Sequence, residues 1–241
     1  MTERLTTTAL AHDFGDGAGV FGIDLTVHPG EIHALVGLNG AGKTTLMRLI
    51  LGMLHPTTGT CQINGRHLTQ LTADDWARVG HLVEHPFAYP ELDVRTNLRL
   101  AARLRRRPAA EAAGLAEHAM TELDLTRYAT ITTRRLSQGN RQRLGLAAAT
   151  QHHPHLIVLD EPTNALDPAG VIRLRTVLSR RAEAGAGILV SSHHLDEVAR
   201  IANRISVVNR GRLIGTLEPD TADLERTFFA LVYQHEQDHP R

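Results

Sequence analysis

Short apolar runs alternate along this chain with longer stretches in which apolar residues recur every three or four positions. IHALVG at 32–37 leads into a glycine-rich turn and then KTTLMRLILG. HLIVLD at 155–160 precedes a turn and PAGVIRLRTVLSRRAE, and GILVSS at 187–192 precedes HLDEVARIA. Short apolar runs bounded by turn residues predict strands, and the three-to-four spacing predicts helices. In the last of these segments Leu195, Val198, Ala199 and Ala202 fall at i, i+3, i+4 and i+7, the spacing of one buried stripe. Repeated strand, loop and helix units predict an α/β fold whose sheet is covered by helices.

Between about Pro86 and Arg135 the alternation stops. VRTNLRLAARLRR and AAEAAGLAEHAMTELDL both carry the helical period, with no strand pattern between them. This predicts a helical subdomain inserted into the α/β core, and with the helix that follows Ser137 it extends over residues 86–150. A chain of 241 residues is long enough to form a single domain, 1–241, that carries such an insertion. The one basic run, Arg105, Arg106 and Arg107, is followed at once by Pro108 and reads as a solvated helix end, where cations are favoured.

Composition narrows the function classes. Lys plus Arg and Asp plus Glu each number 26, so no overall charge excess argues for a nucleic-acid partner or an anionic membrane surface. Cys61 is the only cysteine, which rules out an internal disulfide framework and reads as a buried apolar residue in a reducing compartment. MTERLTTTALAHDFGDG lacks the basic and apolar regions of a secretory signal. A run of roughly 18 apolar residues, the length a membrane span needs, is found nowhere in the chain.

Candidate chemistry is concentrated in the loops after the predicted strands. Gly37-Leu-Asn-Gly-Ala-Gly42-Lys43-Thr44 fits the phosphate-binding pattern G-x-x-x-x-G-K-[ST], placed between a strand and a helix. Glycines let successive N–H groups face one anion, the helix start adds positive potential, Lys43 supplies a mobile cation, and the Thr44 hydroxyl can hold Mg²⁺. LIVLDEP puts adjacent acids at a strand tip, where ligands bind in open α/β sheets. Asp160 is the candidate Mg²⁺ ligand and Glu161 the candidate base that orients an attacking water; two acids capping the next helix are the plainer alternative. In LSQGNRQRL, Ser137 has the form of an N-cap, with Leu144, Ala147 and Ala148 as a stripe behind it. Many capped helices bind nothing, and the local physics leaves that alternative open.

Taken together, GLNGAGKTT, LIVLDEP, LSQGNRQRL, NALD at 164–167 and SSHH resemble, in order, the Walker A, Walker B, signature, D-loop and switch-histidine motifs of the ATP-binding subunits of ABC transporters. The resemblance covers nearly the whole chain. It implies a P-loop NTPase core of the α/β class, with the inserted helical subdomain and an antiparallel β subdomain. It also implies an ATPase that binds ATP with Mg²⁺, works as a head-to-tail homodimer or with a paired ATPase subunit, and acts on a separate transmembrane permease from the cytoplasmic face of the membrane. The nucleotide-binding set carried over is Phe14 against adenine, then Gly37, Asn39, Gly40, Ala41, Gly42, Lys43, Thr44 and Thr45. Ser137, Gln138 and Gly139 join it from the second subunit, with Asp167 in the D-loop. Of the two histidines, His193 directly follows the predicted strand and is the candidate γ-phosphate sensor, whereas His194 falls into the next helix.

Two departures from the common family pattern remain. The signature reads LSQGN where LSGGQ is commoner. Where the family has a glutamine beside the metal and the attacking water, HLVEHPFAYPEL at 81–92 carries Glu84, a candidate catalytic and metal-facing residue. That stretch resembles the glutamate-bearing loop of bacitracin and lantibiotic-protection transporters, which implies an exporter of a peptide or hydrophobic antibiotic or drug. A soluble ABC-type ATPase uncoupled from transport, and a nucleotide-binding regulator without turnover, are the competing readings.

Overall fold

The computed structural model describes residues 2–86, 88–221 and 223–238. Strands β1 (Leu5–Gly15) and β2 (Ala18–Val27) are followed by β3 (Ile32–Val36) and helix α1 (Lys43–Ile50). Next come β4 (Thr58–Ile63), β5 (Arg66–His67), α2 (Ala73–Trp76) and β6 (Val79–Leu82), then α3 (Val94–Leu104), α4 (Ala109–Glu122) and α5 (Gln138–Thr150). The remaining elements are β7 (Leu156–Leu159), α6 (Pro168–Glu183), β8 (Gly187–Ser192), α7 (Leu195–Ala199), β9 (Arg204–Asn209), β10 (Arg212–Leu217) and α8 (Leu224–Asp238).

A six-stranded sheet runs in the order β10-β9-β3-β8-β7-β6, and β9, β3, β8, β7 and β6 are all parallel. Every residue of β3, β7 and β8 is buried, as expected when a parallel sheet is covered on both faces. Successive side chains point to opposite faces, so each strand serves two cores. Ile32, Ala34, Val36, Ile157, Leu159, Ile188 and Val190 pack with α3 to α8 on one side. Leu35, Leu156, Val158 and Leu189 pack on the other side with α1 and the inner face of a four-stranded antiparallel sheet, β2-β1-β4-β5. Cys61 lies in this second core, where burial pushes its thiol up to about 12.

Strand register decides where the site forms. Val36 of β3 pairs with Ser192 of β8, Val190 of β8 with Leu159 of β7, and Leu159 with Leu82 of β6. The loops that follow these four strands therefore leave the sheet along one edge. They carry Gly37–Thr44, His193, Asp160 with Glu161, and Glu84.

The fold departs from the sequence pattern in two places. Helix α7 ends at Ala199, so Ala202 completes the buried stripe from a turn beyond the helix. The basic run is not a freely solvated helix end. Arg105 donates to His81 Nδ1 at 3.2 Å, Arg106 pairs with Asp74 at 2.5 Å, and Arg107 donates to the His152 carbonyl at 2.7 Å. Burial, with the Arg105 charge second, pushes the His81 imidazole down to about 4, and a neutral ring can accept what Arg105 donates. The end of α3 is thus pinned to β6 and to the chain between α5 and β7.

Candidate active site

The loop between β3 and α1 is shaped around its backbone. Gly42 caps α1 with φ 106°, and a Cβ there would stand 3.1 Å from Gly211 Cα and 3.5 Å from the Gly19 carbonyl. Glycine therefore answers both the left-handed conformation and the close approach of β2 and the β9–β10 turn. Asn39 and Gly40 are exposed at the loop tip, Ala41 is buried, and Thr45 is half-buried in the first turn of α1. Lys43 is only 6% exposed; Nζ donates to the Gly37 carbonyl at 2.7 Å and lies 3.5 Å from Glu161 Oε1. Phe14, at the end of β1, is exposed, with its ring edge-on to His12 at 4.4 Å. It lies next to Asp13, which pairs with the Gly19 that closes over Gly42.

The loops after β7 and β8 bring together the acids and the histidine. Thr44 donates Oγ1 to Asp160 Oδ2 at 2.7 Å, and Ser191 donates Oγ to Asp160 Oδ1 at 2.6 Å. Glu161 N donates to the same Ser191 oxygen at 2.8 Å, and His193 Nδ1 lies 2.8 Å from Glu161 Oε2. A carboxylate only accepts, so in that contact the hydrogen belongs to Nδ1. Glu161 has φ 45°, a left-handed conformation uncommon for a non-glycine residue, and its N–H is held there by the bond to Ser191. His194, by contrast, is the N-cap of α7.

Glu84 also sits at positive φ, 63°, just beyond the end of β6. Its Oε1 is hydrogen-bonded to Arg48 Nη2 at the end of α1, and both side chains are well exposed. That hydrogen bond holds the Glu84 carboxyl below the usual carboxylate range. Glu84 shares with Thr44, Asp160, Glu161 and Gln138 a cleft of about 770 Å³ between the sheet edge and α5. Phe87, in the same sequence stretch, lies outside the described residues.

Ser137 caps α5, accepting from Asn140 N at 3.3 Å. A Cβ on Gly139 would come within 2.6 Å of the Ala165 carbonyl, so glycine lets the start of α5 lie against the segment after Glu161. Asp167 caps α6 and is paired with Arg143 of α5, whose hydrogen bond, ahead of that from Gly170 N, holds the Asp167 carboxyl low.

A family model described as ABC transporter matches residues 20–164. The chain belongs to the ABC transporter family, as an ATP-binding subunit. It is 37% identical over 215 residues to the bacitracin transport ATP-binding protein BcrA of Enterococcus faecalis, a span of 89% of this chain and 69% of that one. It is 35% identical over 210 residues, 87% of this chain and 66% of the relative, to the daunorubicin resistance ATP-binding protein DrrA3 of Streptomyces coeruleorubidus. A solved ATP-binding subunit of an ABC transporter superposes with a TM-score of 0.83 at 29% identity, covering 95% of this chain and 94% of that one. Families of this kind bind ATP and generally hydrolyse it.

In this ABC subunit three residues that the motifs do not single out hold the loops together: Arg48 lies outside the motif stretches, whereas Arg143 lies within LSQGNRQRL and Ser191 within SSHH. Arg48, Arg143 and Ser191 each tie one loop or helix end to another, and a spacing rule written for one loop does not see contacts made between loops. Arg143, one turn beyond Gly139 within LSQGNRQRL, could have been suspected, since buried arginines are nearly always paired. The oxygen chemistry suits Mg²⁺. Thr44 and Asp160 offer hard oxygen ligands 2.7 Å apart, and among the described residues no group of three or more His, Cys, Asp or Glu forms a metal cage. Mg²⁺ is commonly held by one or two protein oxygens plus phosphate and water, which this pair matches.

Proposed function

We propose that this chain is the Mg²⁺-dependent ATP-hydrolysing motor of an exporter, acting as one domain, 1–241, with residues 86–150 as its helical subdomain. The observation that carries the reading is the convergence of Lys43, Thr44, Asp160, Glu161 and His193 along one sheet edge. The backbone N–H groups of residues 40–45 and the start of α1 receive the phosphates, with Lys43 as counter-charge. Thr44 and Asp160 are the residues that would hold Mg²⁺, which when bound would supply charge stabilisation to the transferring phosphoryl group. Glu161 orients the attacking water and accepts its proton, His193 fixes the Glu161 carboxylate and contacts the γ-phosphate, and Phe14 stacks on adenine. Asn39, Gln138, Glu84 and Asp167 complete the site.

The exporter assignment leans on the bacitracin and daunorubicin names of the relatives and on the glutamate at position 84. The partner is a separate membrane-spanning permease, and the subunit sits against it on the cytoplasmic face. On this reading the permease supplies the route across the membrane; no helix among the described residues is long and apolar enough to cross one. It also supplies the substrate pocket, for a peptide or hydrophobic drug.

The test is ATPase activity of the purified chain, alone and with a permease encoded beside it. Glu161→Gln should keep ATP affinity and lose on the order of 10²- to 10⁴-fold in turnover, the range of general-base catalysis, while trapping an ATP-bound dimer on gel filtration. Turnover by Glu161→Gln at the wild-type rate would remove the base assignment. Stimulation by the permease, and drug resistance in cells expressing both proteins, separate a transport motor from a soluble ATPase.

The head-to-tail arrangement has its own test in mixed dimers. Lys43→Ala in one subunit and Ser137→Arg in the other place both lesions in one composite site and leave the second intact, so about half the activity should remain. Both lesions in the same subunit damage both sites. Equal activity of the two arrangements would rule out a shared site.

A further inference from the structure

Ser191 opens the SSHH segment but has no role assigned in it, and among the described residues it is the one whose side chain is hydrogen-bonded to both adjacent acids. It is fully buried near the end of β8, and the pairing of Leu159 with Val190 sets Asp160 beside it across the two strands. The hydroxyl both donates and accepts: its single hydrogen goes to Asp160 Oδ1 at 2.6 Å, and its oxygen receives Glu161 N–H at 2.8 Å. Thr44 Oγ1 holds the other Asp160 oxygen at 2.7 Å. The Asp160 carboxylate is therefore fixed at both oxygens. The Glu161 backbone is held in its left-handed turn, φ 45°, at the point where its side chain departs toward Lys43 and His193.

We propose that Ser191 is a positioning residue for both acids: one buried hydroxyl sets the plane of the metal-facing carboxylate and the backbone turn that aims the catalytic one. Without it Asp160 loses a charge-assisted bond and is held on one side only, and the Glu161 N–H is left without that acceptor. The two acids then lose their orientation together. A residue that serves only to fill the core would not link Mg²⁺ dependence to turnover in this way. The proposal rests on the reading of the site as a Mg²⁺-dependent ATPase.

The experiment compares wild type with Ser191→Ala, Ser191→Cys, Ser191→Thr and, as a control for the loss of a buried hydroxyl, Ser206→Ala. Ser206 lies on β9, hydrogen-bonded to His33 Nε2 at 2.8 Å, away from both acids. ATP binding is measured by calorimetry in EDTA and in Mg²⁺, turnover is followed against Mg²⁺ concentration, and the thermal midpoint is recorded for each variant. Ser191→Ala and Ser191→Cys should keep the EDTA affinity within about twofold. They should lose about 10- to 100-fold in the Mg²⁺-dependent part of affinity and in kcat, the usual cost of removing a residue that orients a metal ligand. Ser191→Thr, which keeps the hydroxyl, should restore both. Should the alanine variant fail to fold, the cysteine variant, which keeps the volume, decides by the same curves. Wild-type Mg²⁺ curves for Ser191→Cys, or losses matching those of Ser206→Ala at an equal drop in midpoint, would overturn the proposal. A wild-type chain with neither Mg²⁺-dependent binding nor turnover would overturn the ATPase reading itself.

Discussion

Asp160 and Glu84 stand at the ends of neighbouring parallel strands, and the sequence reading offered both as metal-facing acids, but the fold treats them in opposite ways. Asp160 is held on both oxygens by hydroxyl groups of a helix and a buried strand. Glu84 lies about half exposed and is held by a single long arginine that is itself 40% exposed. A carboxylate fixed on both oxygens by neutral donors of the fold costs little to organise at the moment of reaction. A carboxylate paired with a surface arginine can exchange partners, because exposed ion pairs contribute little and are screened by salt. The first arrangement suits chemistry, and the second suits a contact that changes during a cycle.

The sharpest way to break this comparison is to neutralise each acid in turn. Asp160→Asn should reduce Mg²⁺-dependent turnover by about 100-fold or more, since a metal contributes several kcal/mol of transition-state charge stabilisation. Glu84→Gln, which restores the amide common in the family, should stay within about tenfold of wild type and alter chiefly the stimulation by the permease. A Glu84→Gln variant as impaired as Asp160→Asn would make the two acids equivalent and end the distinction.

The same contrast explains what was legible in the sequence. Asp160, Glu161, Lys43 and Thr44 could be read because each occupies a fixed offset from a strand end or a glycine turn, and the parallel register converts those offsets into one site. The strands IHALVG, HLIVLD and GILVSS lie within a residue or two of β3, β7 and β8, because their burial on both faces leaves an uninterrupted apolar run. Partners that arrive from other elements carried no such mark. Arg48 looks like an ordinary basic residue in the last turn of a helix, which dipole arguments already explain, and nothing in its spacing points to Glu84. Arg105 and Arg107 were misread for a related reason. A basic run before proline suits a solvated helix end, and only the packing of α3 on β6 shows the neutral His81 and the carbonyl that receive them.

The smallest expected effect is at the Arg48–Glu84 pair, and it tests whether Glu84 is free to exchange partners. Arg48 lowers the Glu84 carboxyl below its ordinary value, so the pairing contribution is complete above that ordinary value and is lost only as pH falls through the lower folded one. Changing the pH between about 6 and 8 should therefore leave the pair intact, whereas added salt should weaken it, the screening length being about 10 Å at 0.1 M. If Glu84 turns toward the metal when released, Arg48→Gln should lower the Mg²⁺ concentration for half-maximal turnover by about two- to fivefold, the range expected for an exposed pair. Added salt should shift the wild type further in that direction than it shifts Arg48→Gln, once the general effect of salt on Mg²⁺ binding has been measured with Glu84→Gln. The double variant Arg48→Gln with Glu84→Gln should match Glu84→Gln alone, because the arginine would then have no carboxylate to withhold. Superimposable Mg²⁺ curves for all four proteins at low and high salt would leave the pair as a surface contact with no part in the cycle.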